Sequence, residues 1–214
     1  MSSDLPSDGR SSPPEPTEVL IERGAPLLEA LADHAPRLRE SSQATATYAF
    51  VAAAGLGLGR RQCEAVRELA RLLEVGSVYV PVAVLDKPPA DRDPEEQRAF
   101  SAREVAGYGL LVGSGIPEEQ AQQVLRARES YDGSGPEGMR RETIPLESRI
   151  LRAAETCRAA LETSPGLEGM QPHRRAIQVL AREAGTTLDP DVTAALVAAL
   201  EGAASREAAA ETET

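Results

Sequence analysis

At 214 residues and 41% hydrophobic, the chain is long enough for one domain with a real core and spare length at both ends. Aromatics are only 3% and Trp is absent, so the core must be built from Leu, Val, Ile and Ala, which favours helices. A net charge of −11 excludes a general DNA- or RNA-binding surface, which needs clustered positive charge; no apolar run reaches the length of a membrane span and no signal-peptide pattern is present, so a cytoplasmic protein is expected.

Residues 1–16 are a Ser, Pro, Asp and Gly mixture that cannot bury enough apolar surface to offset ordering entropy, and are expected as a disordered tail. The body, residues 17–203, has helical apolar spacing throughout. The first helix is expected over "PLLEALADHAPRL". The second, "SQATATYAFVAAAGLGL", is built of small residues. The third, "RRQCEAVRELARLLEVG", carries Cys63, Val66, Leu69, Leu72 and Leu73 on one stripe and should stop near Gly76. "VGSVYVPVAVLDKPPADRD" alternates apolar with polar or small residues between prolines, and reads as an extended connector.

Asp93-Pro94-Glu95-Glu96 is a strong start for a fourth helix running to about Val112, because the Asp caps orphan amides and the Pro suits the first helical position. Pro117-Glu118-Glu119 starts a fifth, with Val124 and Leu125 inward, ending near Ser130. A Gly-rich loop follows, "YDGSGPEG", in which Asp132, Gly133 and Gly135 favour a tight turn at positive φ. A sixth helix runs from Leu146 to about Glu162. "HRRAIQVLAREAG" is a seventh, and "LDPDVTAALVAALEG" an eighth, capped by Asp189-Pro190. Residues 204–214 are expected as an acidic tail. The sum is an all-α single domain of about eight helices with flexible termini. Cys63 and Cys157, far apart with no CxxC, read as buried free thiols in a reducing compartment.

"RESYDGSGPEGMRRETIPLESRILRAAE" resembles the signature region of the HD-GYP domains, roughly HHE-x-x-DGSGYP-x-G followed by IP-x-x-ARI-x-x-x-AD. "LLEVGSVYVPVAVLDKP" is similar to that family's LLHDIGKIGIP…KP, and "AREAGTTLDPDVTAALVAAL" to its G-T-x-FDP ending. The resemblance implies a helical HD-GYP-like domain, in a family whose members are metal-dependent phosphodiesterases that open cyclic di-GMP.

Carried over residue by residue, the resemblance implies a degenerate member. The paired His and Asp of the HD motif fall on Leu73 and Glu74, and the following Lys falls on Ser77. A later metal-binding His falls on Arg103, the adjacent His pair on Ala127 and Arg128, and the later Asp on Glu155. The Tyr of the GYP triplet is missing, and the early His has no counterpart among the Ser, Gln, Thr and Ala of the 40s. His34 and His173 lie outside every motif position.

A dinuclear or trinuclear phosphodiesterase site needs imidazole and carboxylate ligands to hold its metals and acidify a bridging water. With the imidazoles gone, no catalytic residue, metal ligand or cofactor is assigned, and the family's iron or manganese is expected to be lost. Three readings remain open. One is an inactive module acting through a protein partner in bacterial cyclic di-GMP signalling, which ranks first; a homodimer is compatible with it. Another is a non-hydrolytic receptor for cyclic di-GMP or another nucleotide, using Arg126, Arg128, Arg140 and Arg141 as forked phosphate donors. The third is a residual phosphohydrolase relying on Glu74, Glu129, Asp132 and Glu155. The plainer expectation for the emptied site is an ion-pair cluster of Arg103 and Arg128 with Glu74, Asp132 and Glu155. The loop residues Glu129, Asp132, Gly133, Ser134, Gly135, Arg140 and Arg141 are the candidate ligand or partner contacts.

Overall fold

The computed structural model describes residues 16–162 and 166–212, so the expected N-terminal tail, Pro16 apart, lies outside the described residues. Nine α-helices are found among them: α1 (Pro16–His34), α2 (Pro36–Gly55), α3 (Arg60–Arg71), the single turn α4 (Val82–Leu85), α5 (Pro94–Gly113), α6 (Glu118–Leu125), α7 (Leu146–Glu162), α8 (Pro172–Glu183) and α9 (Pro190–Thr212). The all-helical expectation holds, and the only β-type pairing among the described residues is an isolated bridge between Ala184 and Leu188.

The small side chains of α2 explain its place. Ala46, Ala49, Ala52 and Ala53 are fully buried, which lets α3, α7 and α9 pack closely around it. A Cβ on Gly55 would stand 3.0 Å from Ala195 Cβ. The rest of the core is aliphatic, with Val66, Leu69, Leu111, Ile150, Leu151, Leu180 and Leu196 in one continuous cluster. Both cysteines are free and buried, and burial pushes the Cys157 thiol up to about 12.

Several expected boundaries move, each for a physical reason. The first helix starts at Pro16, not Pro26, and carries the proline inside it. Its buried stripe, Leu20, Gly24, Leu28 and Leu31, seats Gly24 on Leu72, and this packing outweighs the local cost of Pro26. The chain breaks at Ala35, because the residue before Pro36 is pushed out of the helical region; its φ is −145°. The third helix ends at Arg71, short of Gly76, leaving Leu72 buried and Leu73 half-buried in the turn beyond.

Residues 75–93 are not extended. They form a 3-10 turn (Val75–Tyr79), then α4, then a second 3-10 turn (Pro89–Asp91). Local i→i+3 bonds, such as Ser77 amide to Glu74 carbonyl at 2.9 Å and Val80 amide to Ser77 carbonyl at 3.0 Å, satisfy the backbone there. α6 stops at Leu125 instead of Ser130 and tightens into a 3-10 turn over Arg126–Arg128. α9 continues to Thr212, so residues 204–212, expected as a tail, are its last turns.

The expected caps are present. Asp93 accepts from the Glu95 and Glu96 amides at 2.8 and 2.9 Å, and Glu96 reaches back to the Asp93 amide at 3.0 Å. Asp189, 3% exposed, accepts from the Asp191 amide at 2.8 Å and is paired with Arg149.

Candidate functional site

Four separate segments bring charge to one point. Glu74 comes from the turn after α3, Arg103 and Glu104 from α5, Arg128 from the 3-10 turn after α6, and Glu155 from the middle of α7. The Arg128 guanidinium meets Glu155 at 2.5 Å, Glu104 at 3.0 Å and Glu74 at 3.6 Å. Arg103 adds longer contacts, 3.5 Å to Glu104 and 4.0 Å to Glu74, and the Ser77 hydroxyl donates to Glu74 at 3.1 Å. Arg103 is itself held by Phe100, whose carbonyl accepts from it at 2.7 Å and whose ring lies 3.8 Å from the guanidinium carbon. Arg92 stacks on the same ring at 3.5 Å, a cation–π arrangement on both cations.

Burial makes these pairs matter. The Arg128 side chain is 13% exposed and that of Glu155 18%. Burial works against the charge of Arg128, yet Glu155, Glu74 and Glu104 together outweigh it and raise its pKa. Burial likewise pushes Glu155 up, and Arg128, Arg152 and Arg103 pull it below the ordinary carboxylate value. Arg103 goes the other way, because burial and the neighbouring Arg128 exceed the help from its carboxylates.

The structure thus gathers Glu74, Arg103, Arg128 and Glu155, and adds Glu104, which sequence reasoning missed. The available signal was its position next to Arg103 on α5. Asp132 is not part of the cluster: it is exposed on the loop, where its carboxylate accepts from the Ser134 amide at 2.9 Å. Ala127 is fully buried in the core, and Leu73 packs against that core from the side.

The loop residues serve the fold. Glu129, 4% exposed, accepts from the Glu137 and Met139 amides at 2.7 and 3.0 Å, bracing the loop from inside. A Cβ on Gly135 would lie 2.6 Å from the Ser130 amide nitrogen, so only glycine fits. The Tyr131 and Asp132 amides donate to the Thr187 and Thr186 carbonyls at 3.1 and 2.8 Å, tying the loop to the α8–α9 turn. Gly133 has φ +88° and Arg141 φ +48°, and the Arg140 amide donates to the Thr143 hydroxyl at 2.9 Å. Arg126 pairs with Glu137 at 3.3 Å. Of the four arginines assigned to a phosphate, Arg128 is committed to carboxylates, Arg126 in the turn after α6 is paired with Glu137 of the loop, and Arg140 and Arg141 lie at the end of the loop. His34, outside every motif, bonds the Val80 carbonyl at 2.8 Å.

Comparison with known proteins places this helical bundle in a family. The HD-domain family model matches residues 26–192, and the chain belongs to that family. It is 33% identical over 145 residues, 66% of its length, to the cyclic di-GMP phosphodiesterase response regulator RpfG of Xanthomonas campestris pv. campestris. It is 29% identical over 160 residues, 74% of its length, to 3′3′-cGAMP-specific phosphodiesterase 3 of Vibrio cholerae. The chain covers 38% and 34% of these two relatives, so it spans little more than a third of their length.

Among solved structures, Bd1817, an HDG"Y"P protein from Bdellovibrio bacteriovorus, superposes with a TM-score of 0.61 at 16% identity over 87% of this chain and 61% of that one. The HD domain of the L. monocytogenes phosphodiesterase PgpH in complex with cyclic-di-AMP gives 0.58 at 18% identity, covering 83% of this chain and 96% of that one. The HD-GYP resemblance of the sequence is borne out at the level of family and fold. No described helix is long and apolar enough to cross a membrane.

Proposed function

We propose that this chain is a non-hydrolytic HD-domain module that acts in the cytoplasm through a protein partner in a cyclic dinucleotide signalling pathway. The observation that carries the reading is the position of the Arg128 guanidinium, which contacts Glu74 and Glu155, at the positions where the resemblance puts metal-binding carboxylates, and Glu104 beside them. The donor set there does not fit the family's transition metals. It contains no imidazole, each carboxylate already has a cationic partner, and a divalent ion beside two guanidiniums would meet repulsion in a poorly solvated site. Charge that a metal would supply is supplied by arginine. Hydrolysis by the family's route needs a metal-activated water, and this donor set is not built to hold one.

A protein partner is favoured by the kept scaffold and by large apolar side chains left outside it. Tyr79 and Val105 are 64% and 68% exposed. Both lie on segments next to the ion-pair centre, the 3-10 turn after α3 and helix α5.

The test is hydrolysis of cyclic di-GMP and 3′3′-cGAMP, the substrates in the names of the two relatives, with added Mn²⁺ or Fe²⁺ and chromatographic detection of product. No turnover is expected. Turnover that disappears on Glu74→Ala would overturn the reading. Photo-crosslinking from positions 79 and 105 in cells tests the partner: a discrete crosslinked protein from at least one position is expected, and none from either would remove this part of the proposal.

A further inference from the structure

Helix α2 is packed by α1, α3, α7 and α9, yet one strip of it stays open. Gln43 and Thr47 are exposed on that strip, and Tyr48, Phe50 and Val51 are half-buried along it. Two clefts border the strip and meet at Val51, which lines both. One, of about 360 Å³ between α2 and α3, is walled by Phe50, Arg67, Glu68 and Arg71. The other, of about 380 Å³ between α2 and α9, is walled by Tyr48, Leu196, Ala199, Leu200 and Ala203. Together they make one groove with α2 as its floor and α3 and α9 as its banks.

The two banks differ in chemistry. The α9 bank is aliphatic, with small side chains between its leucines. The α3 bank is basic. Its Glu68, buried in the wall, is shared by Arg71 at 2.6 Å and Arg67 at 3.3 Å. Two guanidiniums on one carboxylate leave that wall with net positive charge, and Arg39, bonded to the Gln43 side chain at 3.4 Å, adds a cation beside it. The Arg67 guanidinium also lies 5.7 Å from the centre of the Phe50 ring, which helps to hold it at the rim of the groove. In a chain of net charge −11, this bank runs against the global charge.

From this we infer that the groove between α3 and α9 docks an amphipathic helix of a partner protein, one that carries carboxylates along one flank of its apolar face. The apolar face seats on Val51 and in the cleft between Tyr48 and Leu200, and the flanking Glu or Asp side chains meet Arg67 and Arg71. Guanidinium forks suit carboxylates in particular. The small side chains of Thr47, Ala199 and Ala203 let a helix come close, the geometry in which an apolar helix face is read by a groove. Ser42 and Thr45 line a separate small cavity with Glu74 and Glu155, and helical spacing puts them on the side of α2 opposite Thr47 and Val51. The groove therefore shares no residue with the ion-pair centre and uses neither Tyr79 nor Val105, so the inference does not rest on the proposed function.

The experiment is fluorescence anisotropy with two labelled helical peptides of about five turns, titrated with the full chain. Both carry the same Leu stripe; one has Glu along its flank and the other has Lys. The overall negative charge attracts the Lys peptide, so a preference for the Glu peptide reports the groove. Saturable binding of the Glu peptide is expected, about tenfold or more tighter than the Lys peptide, with the preference shrinking as salt is raised. Arg67→Glu should reverse the preference, and Thr47→Trp, which fills the floor, should weaken both peptides by about tenfold or more. Arg182→Gln, on α8 and outside the groove, should change neither. Thr47 is exposed and the Arg67 side chain is 42% exposed, so both replacements are compatible with folding, which thermal melts check. No saturable binding of the Glu peptide up to about 1 mM, equal or tighter binding of the Lys peptide, or indifference to either groove variant would each overturn the inference. Self-association of the wild type that Thr47→Trp abolishes, measured by light scattering, would overturn it too, by assigning the groove to a second copy of the chain.

Discussion

Arg128 is the residue on which the candidate site depends. Removing it leaves Glu155 and Glu74, both mostly buried, facing one another without their main cation, so Arg128→Ala should destabilise the fold by about 3–5 kcal/mol in urea unfolding. Arg128→Met combined with Glu155→Leu should cost less than the sum of the two single changes, by about 0.5–3 kcal/mol, because the second change removes the charge the first one stranded. The pH dependence has a definite sign. The carboxyl of Glu155 is held below its ordinary value by Arg128 despite burial, so its stabilising effect is present above the unfolded glutamate value and is lost as pH falls through the lower, folded one. Wild-type stability should therefore decline below about pH 4, with a shallower decline in Glu155→Gln. An equal decline in both would mean that Glu155 is not ionised in the fold.

At the scale of elements, the site depends on how closely the 3-10 turn after α3 lies on α5. A Cβ on Gly76 would come within 2.6 Å of the Gly107 amide nitrogen, and one on Gly107 within 3.3 Å of the Gly76 nitrogen. Backbone meets backbone there, with no flexible side chain to yield. This approach brings Glu74 within reach of Arg103. Gly76→Ala should therefore destabilise by about 1–3 kcal/mol or more. Gly109, on the same helix, has open space where a Cβ would stand, so Gly109→Ala should stabilise by about 0.5–1 kcal/mol through helix propensity alone. Thermal melts of the two variants should move in opposite directions; a shared direction would mean that helix propensity, and not the close approach, governs Gly76.

For the whole molecule, the proposed reading of the ion-pair centre predicts that folding owes nothing to metal binding. Elemental analysis of the purified chain should find transition metals well below one per chain, and prolonged EDTA treatment should leave the unfolding midpoint unchanged. A bound structural metal would add stability in proportion to its affinity, so a midpoint that falls on chelation and recovers with Mn²⁺, Fe²⁺ or Zn²⁺ would show that the carboxylates hold a metal after all.

The sequence by itself determined what local chemistry decides. Asp93 and Asp189 are caps because a carboxylate before a proline answers free amides, α7 has its expected limits because its apolar spacing is unbroken between Pro145 and Glu162, and the loop glycines sit where a side chain would collide or require positive φ. The motif resemblance carried the family and the convergence of Glu74, Arg103, Arg128 and Glu155. Only the tertiary structure decided the rest. Residues 75–93 alternate in polarity like a strand, yet they coil into three short turns, the first of them with Gly76 packed against α5. Pro26 reads as a helix start, yet α1 runs through it because Gly24 seats on Leu72. Asp132 falls away from the charge cluster and Glu104 enters it, since membership depends on which side chains point at one guanidinium across four segments distant in sequence. That is a matter of packing between elements, and periodicity and motif spacing along one element do not encode it.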